Sequence, residues 1–347
     1  MKTFYWRVDA FQPDDRIMDR AGFIIRQGGL VAFPTETVYG LGADALNAAA
    51  VERIFTAKGR PADNPLIVHV RSIEQVYSLV AALPDRALKL ARAFWPGPLT
   101  MVLPRSREVP DAVTAGLDTV AVRMPAHRVA LALINAAGTP IAAPSANASG
   151  RPSPTTAEHV RQDLDGRIEA VIDAGPAPVG VESTVLDLTT AVPVILRPGG
   201  VTRRRLMELI GNVAVHPEKT EGPPRSPGMK YRHYAPGAPV ILVEGASAAL
   251  VRNKMRELAA GFAGRGMKVV ILASSESAGY FRDYRCVTYG RHAEPATVAA
   301  GLYDALRRCD ELAPDVIVAE GVEPGGMGTA VADRLRRAAS EIIKVTR

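Results

Sequence analysis

Polar and basic residues cluster in two neighbouring stretches near the start of the chain. Residues 33–46 read FPTETVYGLGADAL, and residues 57–70 read AKGRPADNPLIVHV. In the first stretch a short apolar run stops at Pro34 and leads into threonines and a glycine-spaced turn. In the second, a helical pattern ends in Lys58 and Arg60. A strand, a polar turn, a helix and a basic loop in this order are typical of a site where a phosphate-bearing ligand meets a small polar one.

Further polar segments flank the apolar runs downstream, and they read TVAVRMP, APSANASGRPSP, GVESTVLD and ILRPGG. Ligands of α/β proteins usually bind where strands end, so we predict that all these segments converge on one rim of a sheet. Taken alone, each segment is more typical of an ordinary solvated loop, and His69 is more typical of a buried core histidine. Residues 10–210 contain no Ser-His-Asp spacing, HExxH or Walker A motif.

Short β-branched runs alternate with helical spacing from Asp14 to Ile210. The pattern predicts an α/β domain with a mixed, twisted sheet over residues 10–210. The expected helices include segments near 73–83, 85–94, 126–137 and 156–164.

A change in composition separates this domain from the rest of the chain. Residues 211–237 are rich in proline and glycine, which is typical of a linker. Residues 238–347 then follow a βαβαβ pattern, which predicts a smaller, three-layer, Rossmann-like domain. Its first strand is not followed by GxGxxG, so we do not expect dinucleotide binding there. The sequence GGMG at 325–328 fits either a phosphate site or a turn before a helix.

Composition limits the class of protein. The 347 residues are 47% hydrophobic, and 42 basic against 36 acidic residues give a net charge of +6, which suits an anionic ligand or a nucleic acid. No apolar run is long enough for a membrane span, and the N-terminus lacks the pattern of a signal peptide. Two separate cysteines argue against a disulfide framework or a zinc module. We therefore expect a reduced, cytoplasmic enzyme without membrane association.

Six motifs occur together in one order: PTETVYGLG, KxRPxxNPL, VRMP, APSANxSG, ESTV and RPG. In this order they resemble the YrdC-type threonylcarbamoyl-AMP synthases over roughly residues 10–210. The linker sequence SPGMKYRHYAP and the last hundred or so residues resemble the longer, two-domain members, whereas short members end near the end of the first domain. The resemblance implies a YrdC-like fold followed by a C-terminal Rossmann-like domain.

The resemblance also implies a reaction. A nucleotidyltransferase of this family converts L-threonine, bicarbonate and ATP, with Mg²⁺, into L-threonylcarbamoyladenylate and diphosphate. A separate tRNA threonylcarbamoyl transferase complex then uses the product in tRNA processing, for the biosynthesis of threonylcarbamoyladenosine. Family roles fall on matching positions of this sequence. The residues implied for L-threonine are Thr37, His69, Arg123, Ala143 and Ser183, and those implied for ATP are Arg60, Asn64, Thr119, Ser145, Ser153, Arg197 and Tyr234.

The residue types suit these roles. Arg123 can hold a carboxylate through two parallel hydrogen bonds. We expect Lys58 and Arg60 to position the phosphates without a covalent nucleophile, and we assign no protein side chain to a metal. We expect the linker to be a lid that places Tyr234 on ATP, and a plain spacer is the alternative.

Two other functions fit parts of the sequence. Hydrogenase-maturation carbamoyltransferases also contain YrdC-like modules, but they carry cysteine-rich zinc segments for which two isolated cysteines leave no room. A module that only binds RNA is compatible with the net charge, although its basic residues are spread out, and weak contact with tRNA could accompany catalysis.

Overall fold

The computed structural model describes residues 1–216 and 234–346. These residues form two compact units. The first comprises residues 1–149, 154–178 and 182–216, and the second comprises 150–153, 179–181 and 234–346. The predicted domain limits of 10–210, 211–237 and 238–347 stay predictions, and most of the predicted linker lies outside the described residues.

The first unit contains a mixed sheet that has eleven strands within residues 1–216. In chain order the strands are β1 (Phe4–Arg7), β2 (Val31–Phe33), β3 (Gly40–Asp44), β4 (Ile67–His69), β5 (Leu99–Pro104), β6 (Thr119–Arg123), β7 (Ile141–Ala142), β8 (Ala170–Asp173), β9 (Thr184–Asp187), β10 (Val194–Arg197) and β11 (Ala214–Val215). Across the sheet the order is β1-β8-β2-β3-β7-β4-β6-β5-β9-β10-β11. The predicted mixed α/β sheet is confirmed. Two of its strands, β1 and β11, lie before and after the predicted limits of 10–210 in the sequence.

Helices pack on both faces of this sheet. They are α1 (Asp15–Arg26), α2 (Ala48–Lys58), α3 (Asp85–Phe94), α4 (Asp111–Thr114), α5 (Arg128–Ala137), α6 (Ala157–Leu164) and α7 (Arg203–Ile210). The Asn47 side chain caps the start of α2, and Gly59 ends the helix at φ 60°. Lys58 therefore occupies the last turn of α2, and Arg60 begins the following loop.

The predicted helix near 73–83 is wrong. Only Glu74–Val76 form a short 3₁₀ turn. Val76, Leu79 and Val80 are buried at the spacing that suggested a helix. However, Ala81 N–H donates to the carbonyl of Pro104, the last residue of β5, at 2.9 Å, so this strand takes a backbone hydrogen bond that a helix would need.

The two faces of the sheet are covered differently. One face packs against α2, α3, α4, α6 and α7 in the largest core cluster. On the opposite face, α1 and α5 cover the half around Phe33 and Ile141. The other half of that face has an apolar group whose members all come from β4, β5, β6, β9 and β10. We call this group the apolar floor, and it consists of Ile67, Val102, Ala121, Val185 and Leu196.

The contact between α1 and α5 depends on Gly22. A Cβ atom at this position would lie 2.5 Å from the backbone carbon of Ala136, too close for any side chain. We expect Gly22→Ala to lower the free energy of unfolding by about 1–3 kcal/mol through overpacking. Gly261→Ala is the matched control, because Gly261 is also helical but has no atom within 4 Å of its Cβ position. That variant should be stabilised by up to about 1 kcal/mol. Urea unfolding of both variants tests the pair, and equal effects would contradict the prediction.

The second unit is a parallel five-stranded sheet with helices, as counted over its described residues. Its elements are β12 (Val240–Gly245), α8 (Ala248–Ala263), β13 (Val269–Ala273), β14 (Arg285–Thr288), α9 (Pro295–Glu311), β15 (Val316–Glu320), α10 (Met327–Ala338) and β16 (Glu341–Val345), with the strand order β14-β13-β15-β12-β16. The predicted Rossmann-like domain is confirmed, with β14 and β16 beyond the predicted pattern. Gly325 and Gly326 form the turn before α10, and a phosphate there is untested.

Two short segments from earlier in the sequence belong to this second unit. The Arg307 guanidinium donates to the Pro152 carbonyl at 2.6 Å, and Ala235 N–H donates to the Gly150 carbonyl at 2.9 Å. Gly180 lies against α9, where a Cβ atom would approach the Ala299 carbonyl oxygen to 2.4 Å. Residues 150–153 and 179–181 are therefore held by elements that lie far from them in sequence.

Across residues 1–216 and 234–346, none of the helices has the length and apolarity needed to cross a membrane.

Candidate active site

Strand directions divide the predicted residues between two opposite edges of the sheet. β4 and β6 are parallel and place His69 beside Arg123 at their carboxyl ends, whereas Thr119 starts β6. β7 runs antiparallel to β4, so Ala143 follows β7 at the edge where Thr119 lies. Thr119 and Arg123 are the first and last residues of β6, four residue steps or about 13 Å apart. The prediction that all the segments meet at one rim is therefore wrong. The site spans a sheet face.

Arg123 is the centre of the first edge. Its side chain is 3% exposed, its Nε donates to the Gly97 carbonyl at 3.2 Å, and its Nη1 donates to Thr37 Oγ1 at 2.9 Å. A guanidinium has five N–H donors, so these two bonds use only part of its capacity to donate hydrogen bonds. The Thr37 hydroxyl is held in turn by Thr35 Oγ1 at 2.8 Å. The loop after β2 thus brings two predicted threonine-site residues together.

Glu36 is a site residue that sequence reasoning missed, although it lies within the quoted motif PTET. Its Oε1 is 2.5 Å from Arg123 Nη2, and both residues are almost fully buried. The two charges form an ion pair without the alignment of a hydrogen bond. The signal that could have identified Glu36 is a carboxylate between two threonines at the end of an apolar strand.

Ser183 and Arg197 lie at the same edge as Arg123. Ser183 immediately precedes β9, and Arg197 ends the antiparallel β10. Arg197 donates through Nε to the Ser183 carbonyl at 3.2 Å and through Nη2 to Ser183 Oγ at 3.3 Å. Thr100 Oγ1 lies 2.7 Å from the same hydroxyl. Ser183, predicted for threonine, and Arg197, predicted for ATP, are therefore direct neighbours.

His69 is buried and neutral. Burial, and then the positive charge of Arg123, lower its pKa from 6.5 to about 3. The ring packs edge-on against Phe33, with centroids 6.2 Å apart, and its Nδ1 has no hydrogen-bond partner among the described residues. His69 therefore differs from an ordinary core histidine, whose polar atoms are satisfied.

The lowered pKa of His69 predicts a pH effect on stability. The unfolded histidine binds a proton near pH 6.5 and the folded one only near pH 3, so this group lowers stability as pH falls through that window. The slope is about 1.4 kcal/mol per pH unit. When the pH falls from 6.5 to 5, the free energy of unfolding should decrease in the unmodified chain by about 2 kcal/mol more than in His69→Gln. Urea unfolding at the two pH values measures the difference, and parallel losses would contradict it.

Asn64 and Arg60 lie at the opposite edge, in the loop before β4. Asn64 is completely buried, and neither its Oδ1 nor its Nδ2 has a hydrogen-bond partner among the described residues. A buried amide in this state is costly unless a ligand completes its bonds. Arg60 Nη2 donates to the Asn64 carbonyl at 3.0 Å, and this contact fixes the backbone that carries the amide.

Lys58 is held by the segment after β7. Its ammonium donates to the Ser145 carbonyl at 2.5 Å and to the Asn147 carbonyl at 2.6 Å. The Ser145 hydroxyl donates to Asn147 Oδ1 at 2.6 Å. Lys58 is 3% exposed, so in this arrangement it positions Ser145, and its predicted contact with phosphate stays a prediction. Asn147 is a second residue of a quoted motif to which no role was given.

The remaining predicted residues occupy different places. Thr119 begins β6, and Ala143 N–H donates to the Ile67 carbonyl at 2.9 Å beside the apolar floor. Ser153 is buried in the segment that belongs to the second unit. Tyr234 also belongs to the second unit, has φ 64°, and lies 5.3 Å from Tyr303 between ring centroids. Its predicted contact with ATP stays a prediction.

The arrangement combines three chemical environments on one sheet face of the first unit. One end has the cationic groups of Arg123 and Arg197 with hydroxyl groups, the middle is apolar, and the other end has the unsatisfied side-chain amide of Asn64. Such an arrangement can bind a small anion at one end and a polar or heterocyclic group at the other. Within residues 1–216 and 234–346, no three His, Cys, Asp or Glu side chains are grouped as a metal site.

Comparison with known proteins agrees with these features. A family model for Sua5, YciO and YrdC proteins, described as "Telomere recombination", matches residues 23–199, and a model described as "Threonylcarbamoyl-AMP synthase, C-terminal domain" matches residues 201–340. The threonylcarbamoyl-AMP synthase of Pyrococcus abyssi is 54% identical over 95% of this chain and 96% of its own length. That of Bacillus subtilis is 49% identical over 98% of both chains.

A solved structure shows the same fold. The crystal structure of P. abyssi Sua5 complexed with L-threonine is 51% identical and covers 99% of this chain and 100% of its own, with a TM-score of 0.94. Both domains of the long form are thus matched in sequence and in fold. The chain belongs to the Sua5/YrdC family of threonylcarbamoyl-AMP synthases, in its two-domain form.

Proposed function

We propose that this protein is a threonylcarbamoyl-AMP synthase, which converts L-threonine, bicarbonate and ATP into L-threonylcarbamoyladenylate and diphosphate. The observation that carries the proposal is the buried group of Arg123, Thr37 and Glu36, which offers a cation, a hydroxyl and an anion within one small volume. An amino acid with a side-chain hydroxyl has the three complementary groups. The near full-length similarity to synthases supports the same function.

L-Threonine binds at the edge where β4 and β6 end. Arg123 takes the carboxylate with its fork, and Thr37 and Ser183 offer hydroxyl groups to the amine and the side chain. His69 stays neutral at physiological pH because its pKa is about 3, so it adds no positive charge that would repel the substrate ammonium. Ala143 closes the pocket beside the apolar floor.

ATP binds across the same face. Its triphosphate lies near Arg197 and Arg60, and the base or ribose completes the hydrogen bonds of the buried Asn64 amide. Thr119 and Ser145 complete the part of the ATP site that the first unit provides, and the contacts with ATP predicted for Ser153 and Tyr234 stay predictions. Mg²⁺ enters with ATP as part of the substrate and neutralises phosphate charge, bound mainly by phosphate and water oxygens.

Catalysis requires positioning more than a reactive side chain. The amine of threonine attacks bicarbonate or the carbon dioxide derived from it, and a carbamate oxygen then attacks the α-phosphorus while diphosphate leaves. Arg123 and Arg197 lie at one edge, so Arg123 can hold the amino acid while Arg197 stabilises the phosphate that receives the carbamate. Holding two reactants in register can contribute about 7–11 kcal/mol to the reduction of the barrier. The product would supply a separate transferase that modifies tRNA.

Release of diphosphate by the purified full-length protein tests the function. With ATP and Mg²⁺, diphosphate should appear only when L-threonine and bicarbonate are both present, and mass spectrometry should detect the mixed anhydride product. Release without threonine would indicate a simple nucleotide hydrolase. No release, together with RNA binding, would favour the RNA-binding module instead.

A further inference from the structure

The Glu36 carboxylate is placed unusually for a buried anion. It is 6% exposed, and neither of its oxygens accepts a hydrogen bond from the described residues. Its nearest charged partner is Arg123 Nη2 at 2.5 Å, without hydrogen-bond alignment. Buried carboxylates are costly unless they accept several hydrogen bonds, so two oxygens without donors indicate that a ligand supplies the donors.

The surroundings of Glu36 define what that ligand carries. Arg123 Nη1 is already bonded to Thr37 Oγ1, and Nη2 lies against the Glu36 carboxylate, so a guanidinium and a carboxylate lie side by side in a buried position. An α-amino acid carries a carboxylate and an ammonium group separated by a single carbon. The adjacent guanidinium and carboxylate therefore match both charged groups of a zwitterion. A ligand with a carboxylate alone would satisfy Arg123 but would be repelled by Glu36.

We propose that Glu36 binds the α-ammonium group of the amino acid substrate and accepts the proton that this group must lose before it reacts. The proposal rests on the proposed function and adds to it the group that receives the amine proton. In the first step, R–NH₃⁺ and the Glu36 carboxylate give R–NH₂ and the protonated carboxyl group. In the second, R–NH₂ and HCO₃⁻ give R–NH–COO⁻ and water. Glu36 then returns its proton to solvent after product release.

A different role for Glu36 has to be distinguished. The carboxylate could serve only to hold Arg123 in place, in which case it would act on the substrate carboxylate and not on the amine. The two roles predict different results for a ligand that lacks the amine. (R)-3-Hydroxybutanoate is L-threonine without its α-amino group, and it keeps the carboxylate and the hydroxyl group.

The test is calorimetric binding of both ligands to the full-length protein and to Glu36→Gln, which keeps the size of the side chain but removes its charge. We expect the affinity for L-threonine to fall roughly 30-fold or more, because the ammonium loses a buried counterion. The affinity for (R)-3-hydroxybutanoate should stay constant or rise, since an anion no longer opposes it. Glu169→Gln is the matched control, because Glu169 forms an ion pair with Arg53 elsewhere in the first unit, and it should change neither affinity.

Each outcome decides a separate question. An equal fall for both ligands in Glu36→Gln would overturn the proposal and assign Glu36 to the support of Arg123. Failure of the unmodified protein to bind L-threonine would overturn the proposed function itself. If Glu36→Gln does not fold, Glu36→Asp serves for the same comparison. Its shortened carboxylate should lower the affinity for L-threonine more than the affinity for (R)-3-hydroxybutanoate. An equal fall in both affinities would again overturn the proposal.

Discussion

Replacing Arg123 with alanine is expected to weaken L-threonine binding by roughly 30- to 1000-fold, which corresponds to about 2–4 kcal/mol. The guanidinium is buried beside Glu36 and Thr37, so its loss removes the partner of the substrate carboxylate and leaves the Glu36 carboxylate without a counterion. Titration calorimetry with L-threonine measures the effect. ATP affinity should change far less, because in our proposal ATP is held by Arg197 and by the opposite edge of the sheet.

Arg128→Ala provides the control for Arg123→Ala. Arg128 is exposed, and its Nη1 donates to the Phe11 carbonyl at 2.9 Å outside the proposed site. Its replacement should leave both affinities unchanged. Loss of ATP binding with intact threonine binding in Arg123→Ala would contradict the role assigned to Arg123.

Lys58→Met is expected to reduce both stability and synthesis. The ammonium binds the carbonyl oxygens of Ser145 and Asn147 in a buried position, and methionine would leave these oxygens without a donor. We expect a loss of about 3 kcal/mol in the free energy of unfolding. We also expect roughly 100-fold slower diphosphate release, since the segment that carries Ser145 would shift. Urea unfolding and steady-state diphosphate release measure the two effects.

Two further variants test the geometry around Lys58. Lys58→Arg should recover little, because a planar guanidinium cannot replace a compact ammonium between two close carbonyl groups. Lys89→Met is the control, since Lys89 is exposed on α3. A Lys58→Met variant with unchanged stability and unchanged diphosphate release would show that the contacts of Lys58 are dispensable.

The sequence predicted the local elements of this protein better than their directions. The predicted helices 85–94 and 156–164 became α3 and α6 within one residue of the predicted limits, because apolar residues at helical spacing are typical of helices that pack on a sheet. The edge at which each polar segment lies depends on whether neighbouring strands are parallel, which is set by pairing between distant parts of the chain. For this reason the polar segments were predicted to lie at one edge of the sheet, whereas they lie at two opposite edges.

The sequence motifs singled out Arg123 and Asn64, and the fold buries both side chains, while the ligand roles predicted for them stay predictions. Glu36 was missed because an acidic residue in a polar loop is usually solvated, and only the fold reveals that it is buried against Arg123. Lys58 was assigned to phosphate because its charge suggested an anion, whereas the carbonyl groups that surround it belong to residues 145 and 147.

The assignment of residues 150–153 and 179–181 to the second unit affects how the two domains can be separated in evolution or in the laboratory. The Arg307 contact with Pro152 and the close approach of Gly180 to α9 would both be lost in a chain that ends after the first domain. Gain or loss of the C-terminal domain therefore involves three places in the sequence and not a single junction. Short members of the family should accordingly show different residues in these two loops, and a stable one-domain version of this protein should require redesign of both.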